Sequence, residues 1–199
     1  MPMQTNFHRQ LSILTAALVV ALAGCASTAP TANPSATAPV KPMTGPSTAQ
    51  QAEANLASAS GSLVSGKLTL VPMQGGVHVT GELGGFSPGS THGFHIHEKG
   101  DCSAADASSA GGHFNPAGQA HGRAMQGTHH AGDSDNIVAN ANGVAKIDTH
   151  IDGVSLGGGA GNDIAGRAFV VHAASDDYTS QPAGNAGARV ACGVIRVVR

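Results

Sequence analysis

Gly93-Phe94-His95-Ile96-His97-Glu98 is the stretch on which the reading of this chain turns. Side chains of an extended backbone alternate between faces, so His95 and His97 share one face while Phe94 and Ile96 point to the other. A strand of this kind presents two imidazoles to a single metal ion. Working outward, His113, His121, His130 with Asp133, and His172 follow, so most of the 11 histidines fall between His95 and His172. Imidazole in this number suits copper and zinc best.

The sequence around this cluster is that of a β protein. Val77-His78-Val79-Thr80-Gly81-Glu82-Leu83 alternates apolar with polar or small residues, and similar runs occur at Leu63–Val71, Val144–Ile151, Ala168–His172 and Val194–Val198. Gly75-Gly76, Gly84-Gly85, Ser87-Pro88-Gly89 and Asn142-Gly143 supply turns between them. The pattern predicts an all-β, Greek-key antiparallel sandwich or flattened barrel. Two stretches, Cys102–Asn136 and Asp176–Ala188, break the alternation; they are rich in Gly and polar residues and carry metal-binding side-chain types, the mark of functional loops on a rigid scaffold.

Composition agrees with a turn-rich β fold: 28 Gly, no Trp, one Tyr and 11% charged residues in 199. Basic residues are few and scattered and the formal net charge is -2, which gives no footprint for nucleic acid.

The N-terminal part reads differently. His8 and Arg9 precede an uncharged run from Leu11 to Gly24, too short for a comfortable permanent span, and residues 1–24 are therefore expected to be an export signal. Leu22-Ala23-Gly24-Cys25 resembles the lipobox of bacterial lipoproteins, which implies acylation of Cys25; a plain signal peptide with a cysteine at its cleavage site is the alternative. Two or more acyl chains exceed the marginal binding of a single one and would anchor the protein stably to a membrane. Ala26 in place of an aspartate after the cysteine leans toward the outer membrane, facing the periplasm of a bacterial envelope. From residue 26 to Ser60, 25 of 35 residues are Ala, Ser, Thr or Pro, without an aromatic, and this predicts a disordered tether over 25–60 and a folded head over 61–199.

With Cys25 committed to lipid, Cys102 and Cys192 remain as one pair, and export to an oxidising compartment favours a disulfide between them. Closing a loop of that length restricts the unfolded chain by roughly 4 to 5 kcal/mol on the entropic account.

The segment Gly93–Cys102 resembles the copper-site strand of the Cu,Zn superoxide dismutases. Gly112-His113-Phe114-Asn115-Pro116 is similar to the segment with the bridging ligand, His121-Gly122 and His130-Ala131-Gly132-Asp133 to the zinc ligands, and Phe169–His172 to the strand with the last copper ligand. Gly184–Ile195 resembles the C-terminal signature of the family, with its active-site arginine and disulfide cysteine. The resemblance runs from about Leu63 to Val197 and implies copper on His95, His97, His113 and His172, and zinc on His113, His121, His130 and Asp133, with His113 shared and catalytic. It further implies that Arg189 guides the superoxide anion and that Asp176, with Asp177 as rival, hydrogen-bonds a copper-site and a zinc-site histidine. His129 competes with His130 for zinc; His130 matches by its His-x-x-Asp spacing. His92 resembles a position that bonds backbone near the site, and His78 and His150 read as ordinary strand residues.

The resemblance thus implies an exported dismutase that converts superoxide to oxygen and hydrogen peroxide and protects the envelope. A noncatalytic copper and zinc binding lipoprotein is the alternative, and Arg189 separates the two, because a metal buffer has no use for an anion-orienting guanidinium. A zinc hydrolase fits worse, since four zinc ligands leave no open position. Both a monomer and a homodimer are compatible with the sequence.

Overall fold

The computed structural model of the chain describes residues 44–199. The export signal, Cys25 and residues 26–43 of the expected tether lie outside the described residues. Among the described residues nine strands, all paired antiparallel, carry the fold: β1 (Ala52–Ser58), β2 (Ser65–Met73), β3 (Gly76–Gly84), β4 (Thr91–His92), β5 (Phe94–His97), β6 (Ile137–Val138), β7 (Val144–Asp152), β8 (Ala168–His172) and β9 (Arg189–Val197). Seven form one sheet in the order β5-β8-β9-β1-β2-β3-β7, and β4 pairs with β6. The chain leaves β3, builds β4 to β6 elsewhere and returns with β7 beside β3, the long connection expected of a Greek key.

Alternation explains why these segments pair. Leu68 and Leu70 of β2, Val77, Val79 and Leu83 of β3, and Ala145, Ile147 and Ile151 of β7 are buried, and they join Phe94, Ile96, Phe169, Val171, Ala191 and Ile195 in one continuous core. Inner faces of all seven strands meet in that core, so the sheet is curled around it. On the other face Lys67, Glu82 and Lys146 stand directly opposite one another across three strands, with Lys67 Nζ also 2.9 Å from Glu53, a row of alternating charge that suits a solvated surface.

The expected boundary at Gly61 is corrected by β1. This strand lies inside the stretch read as tether, yet it pairs with β2 on one side and β9 on the other, and Ala52, Ala54 and Leu56 are buried. Ala-Glu-Ala-Asn-Leu is a period-2 pattern written mostly in small residues, with Ala52, Ala54 and Leu56 as its buried face. Residues 44–51 are also held: the amides of Thr48 and Ala49 donate to Leu156 O, and Gln50 and Gln51 to Arg199 O. The order therefore begins well before Gly61.

Two long connections stand on this scaffold. The first runs from Glu98 to Asn136 and contains a single 3₁₀ turn, Ser108–Ala110; the second links β8 to β9. A disulfide between Cys102 and Cys192, with a Cα–Cα distance of 5.7 Å, ties the first connection to β9.

Candidate metal centre

β5 delivers the first two imidazoles as its alternation requires: Phe94 and Ile96 enter the core, and His95 and His97 face the other way, both fully buried. The first connection is knitted onto β5. Phe114 N donates to Ile96 O, Ile96 N to Gly132 O, and Gly132 N to Phe114 O, so the segments bearing His113 and His130 are laid beside the strand by main-chain hydrogen bonds. β8 pairs with β5 and brings His172 beside Gly93, where its amide donates to Gly93 O. Residues separated by up to 77 positions thus converge.

The convergence produces two donor sets. Ligand-type atoms of His95, His97, His113 and His172 lie within 4.8 Å of one another, and so do those of His113, His121, His130 and Asp133; every member of both sets is buried. In the second set Asp133 Oδ1 stands 2.7 Å from His113 Nδ1, 3.1 Å from His121 Nδ1 and 3.2 Å from His130 Nδ1, and the two ring nitrogens of His113 and His130 are 3.4 Å apart. In the first set the Nε2 atoms of His97 and His172 are 3.4 Å apart. Tetrahedral ligands about 2.0–2.1 Å from a zinc ion stand roughly 3.3 Å from each other, which is the spacing found in the second set. His113 is the only residue in both.

Hydrogen bonds fix which nitrogen of each ring faces inward. A carbonyl only accepts, so His97 Nδ1, 2.9 Å from Gly111 O, and His172 Nδ1, 3.3 Å from Gly187 O, carry their protons and leave Nε2 for a metal. Asp176 takes the Nε2 protons of His95 and His121, at 2.8 and 3.0 Å, which frees Nδ1 on both rings. Among the described residues, three buried side-chain atoms then have no hydrogen-bond partner: His95 Nδ1, His113 Nε2 and His121 Nδ1. Buried polar atoms left unpaired are costly, and all three belong to the two donor sets. A metal ion in each set would satisfy them, with His113 Nε2 available to the first set and His113 Nδ1 to the second.

The family model for copper/zinc superoxide dismutase matches residues 64–195. The chain belongs to the copper/zinc superoxide dismutase family. A "Superoxide dismutase [Cu-Zn] 2" of Aquifex aeolicus is 40% identical over 149 residues, covering 73% of this chain and 86% of that one. Among solved structures, the clock protein EA4 is similar at 40% identity and a TM-score of 0.68, over 77% of this chain and 98% of its own. A superoxide-dismutase-like protein of Bacillus subtilis is similar at 35% identity and a TM-score of 0.64, over 71% and 95%.

The remaining positions of the dismutase site fall as follows. His129 is outside both donor sets; its Nδ1 turns to the carbonyl of His130. Asp177 is exposed and uses its carboxylate on Thr179, Ser180 and Asn185, whereas Asp176 bonds His95 and His121 together. His92 bonds the carbonyl of His172 through Nδ1 and Ser90 Oγ through Nε2. His78 and His150 sit on the outer face of β3 and β7, beside Asp148 and Asp152. Arg189, at the start of β9, is paired with His172 in the sheet register and donates to Ala107 O at 2.7 Å and Gly111 O at 2.6 Å. Gly111 O thereby holds both Arg189 and His97.

Two participants are not visible in the sequence reading. Asn136 clamps the main chain of Asp176 with its side-chain amide, accepting from Asp176 N and donating to Asp176 O at 2.8 and 2.9 Å. Gly184, with φ +64, runs its backbone so close that a β-carbon there would overlap Asp176 Oδ1 and press His121 Nε2. An amide in a loop has no spacing signature, and a glycine among many carries none either.

Burial is the main reason that the imidazoles of the metal-free dismutase resist protonation: His97 is lowered to about 2, His172 to about 3 and His113 to about 4, with neighbouring imidazoles and Arg189 adding repulsion. Burial alone would raise Asp133, but hydrogen bonds from His113 and His130 outweigh it and hold that carboxyl well below its usual range. The histidine pKa values are depressed in the folded state, so below about 6.5 the unfolded chain binds protons that the fold refuses. Their contribution to stability is intact above pH 6.5 and is lost as pH falls from there toward 4, at roughly 1.4 kcal/mol per pH unit for each histidine. Urea unfolding of the metal-free protein from pH 7.5 to 4.5 should show the midpoint constant above 6.5 and falling steeply below; a flat profile would contradict the burial of neutral rings.

Proposed function

We propose that the protein disproportionates superoxide to oxygen and hydrogen peroxide, with copper held by His95, His97, His113 and His172 and zinc by His113, His121, His130 and Asp133. The observation that carries this reading is the placement of both His113 nitrogens, one in each donor set. Bound copper would supply a one-electron couple that oxidises one superoxide and reduces the next, and an all-imidazole donor set suits both of its oxidation states. Zinc, which has no redox chemistry, would be held by His113, His121, His130 and Asp133 and would serve a structural role there.

The chain's own residues do the rest. Reduction of superoxide to hydrogen peroxide consumes two protons, and His113 Nε2 is the buried nitrogen that can carry one of them to the reacting anion whenever it is not engaged as a ligand. Its other nitrogen is held by the zinc set, so proton exchange does not release the ring. Asp176 keeps the His95 and His121 rings in a single tautomer. Arg189 always bears its charge, and with two of its donors spent on Ala107 and Gly111 its guanidinium is fixed in place to orient a diatomic anion.

Metal analysis and copper EPR on the purified protein, together with its superoxide decay rate, test this reading. Equimolar copper and zinc with fast, copper-dependent decay are expected; metal binding without decay supports the buffering alternative instead. Arg189→Ala should keep both metals yet lower kcat/KM about tenfold and flatten its dependence on ionic strength, since a single fixed cation at a site entrance changes encounter rates by this order. Arg189→Lys should recover part of the rate. An unchanged rate in Arg189→Ala removes the anion-guiding role.

The N-terminal sequence supports a location. Cys25 would be acylated and the head held in the bacterial envelope, at the outer membrane facing the periplasm, where it would protect the envelope from superoxide. The Leu22–Cys25 lipobox is what supports this, and labelling with a radioactive fatty acid, lost in Cys25→Ser, tests it. Gel filtration with light scattering decides between monomer and homodimer.

A further inference from the structure

The second connection, between β8 and β9, reaches back to the first at a point other than Asp176. Gln181 Oε1 accepts from His121 N at 2.9 Å, and Gln181 Nε2 donates to His121 O at 2.9 Å. Both main-chain polar groups of one residue are thus taken up by one side-chain amide, as a neighbouring strand would take them. Among the described residues no main-chain group of another residue bonds His121 N or O. On its N-terminal side the segment has little else to hold it, because residues 117–120 are exposed and the turn there is made by Asn115 and Gln119 with each other; on the other side Gly122 N donates to Asp133 Oδ2 at 3.2 Å. The other three zinc-set residues differ, because His113, His130 and Asp133 are carried by segments knitted to β5.

We propose that Gln181 is a positioning residue for zinc, fixing the main chain of His121 so that Nδ1 already faces Asp133 before a metal arrives. The ring of His121 is set at two points. Asp176 holds Nε2, and Gln181 holds the backbone from which the ring projects. Loss of either leaves a ligand that must be ordered when zinc binds, and that ordering weakens affinity. Gln181 hydrogen-bonds none of the copper-only ligands His95, His97 and His172, so the effect falls on one metal and not the other. Partners that orient a ligand without touching the metal change affinity by about 10–100-fold. Gln181 is itself exposed, and water can replace its two bonds in part, so the lower end of that range is expected.

The inference rests on the zinc reading above, and the experiment separates the two. Zinc affinity of the full chain is measured by competition with a chromophoric chelator, for the native protein, Gln181→Ala, Gln181→Glu and His121→Ala. The absorption spectrum of Co²⁺ placed in the zinc set reports ligand geometry, and copper affinity is measured in parallel. Gln181→Ala is expected to lose about tenfold in zinc affinity, shift the Co²⁺ bands, and keep copper affinity and the thermal midpoint of the metal-free protein. Gln181→Glu keeps the acceptor for His121 N but not the donor to His121 O and should fall between the two. Native zinc affinity in Gln181→Ala overturns the inference, and so does an equal loss of zinc and copper, which would make Gln181 a general support of the fold. Native zinc affinity in His121→Ala would instead overturn the zinc assignment itself.

Discussion

His172→Ala should reduce superoxide decay by the purified protein more than about 100-fold, beyond the loss expected from removing a partner that only orients a ligand. His172 belongs to one donor set only, so zinc content should stay at one per chain while copper EPR changes or disappears. His113→Ala makes the sharper comparison. That ring is common to both sets, with Nδ1 in one and Nε2 turned to the other, and its removal should loosen both metals as well as stop turnover. The pair of variants therefore distinguishes a bridged centre from two separate sites. Equal zinc loss in both variants, or native zinc affinity in His113→Ala, contradicts a shared ring. Native activity in His172→Ala contradicts the copper assignment outright.

The same contrast shows what kind of information the sequence carries. Gly-Phe-His-Ile-His is legible because alternation along a strand is a local rule: the backbone alone decides that His95 and His97 face away from Phe94 and Ile96. The other ligands are legible by residue type and resemblance, since nothing local brings His113, His121, His130 and His172 together. Their convergence depends on the sheet register, β5 beside β8 and the 113–114 and 130–132 segments beside β5. What stays hidden is the support. Asn136 on Asp176 and Gln181 on His121 are contacts between two irregular connections, and Gly111 O under both His97 and Arg189 joins one such connection to two strands; irregular connections have no period from which a contact can be read. The boundary error at Gly61 has a different cause. Composition averages over a window, and a window rich in Ala, Ser, Thr and Pro conceals five residues whose alternation is that of a strand.

That strand carries the second large effect. A chain shortened to begin at Gly61 should fail to fold, whereas one beginning at Thr44 should fold and bind both metals. β1 sits between β2 and β9, so its removal leaves two interior strands facing a gap in the middle of the sheet. Leu68 and Leu70 on β2, and Ala191 and Ile195 on β9, would lose the cover of Ala52, Ala54 and Leu56. The ladder groups that faced β1 would lose their partners too, at about 1–3 kcal/mol for each one that stays buried. Several such losses equal the whole stability of an ordinary domain, about 5–15 kcal/mol. The disulfide cannot compensate, because Cys102 and Cys192 restrain the unfolded chain and supply no partner for β2. Circular dichroism and thermal unfolding of the two shortened chains decide the matter: a cooperative transition at the full chain's midpoint in the Gly61 chain would show that β1 is dispensable. Because β9 ends the sheet's path from the metal ligands to β1, with Arg189 at its start and Ile195 in the core, loss of β1 should also abolish metal binding, although no ligand lies within 30 residues of the missing segment.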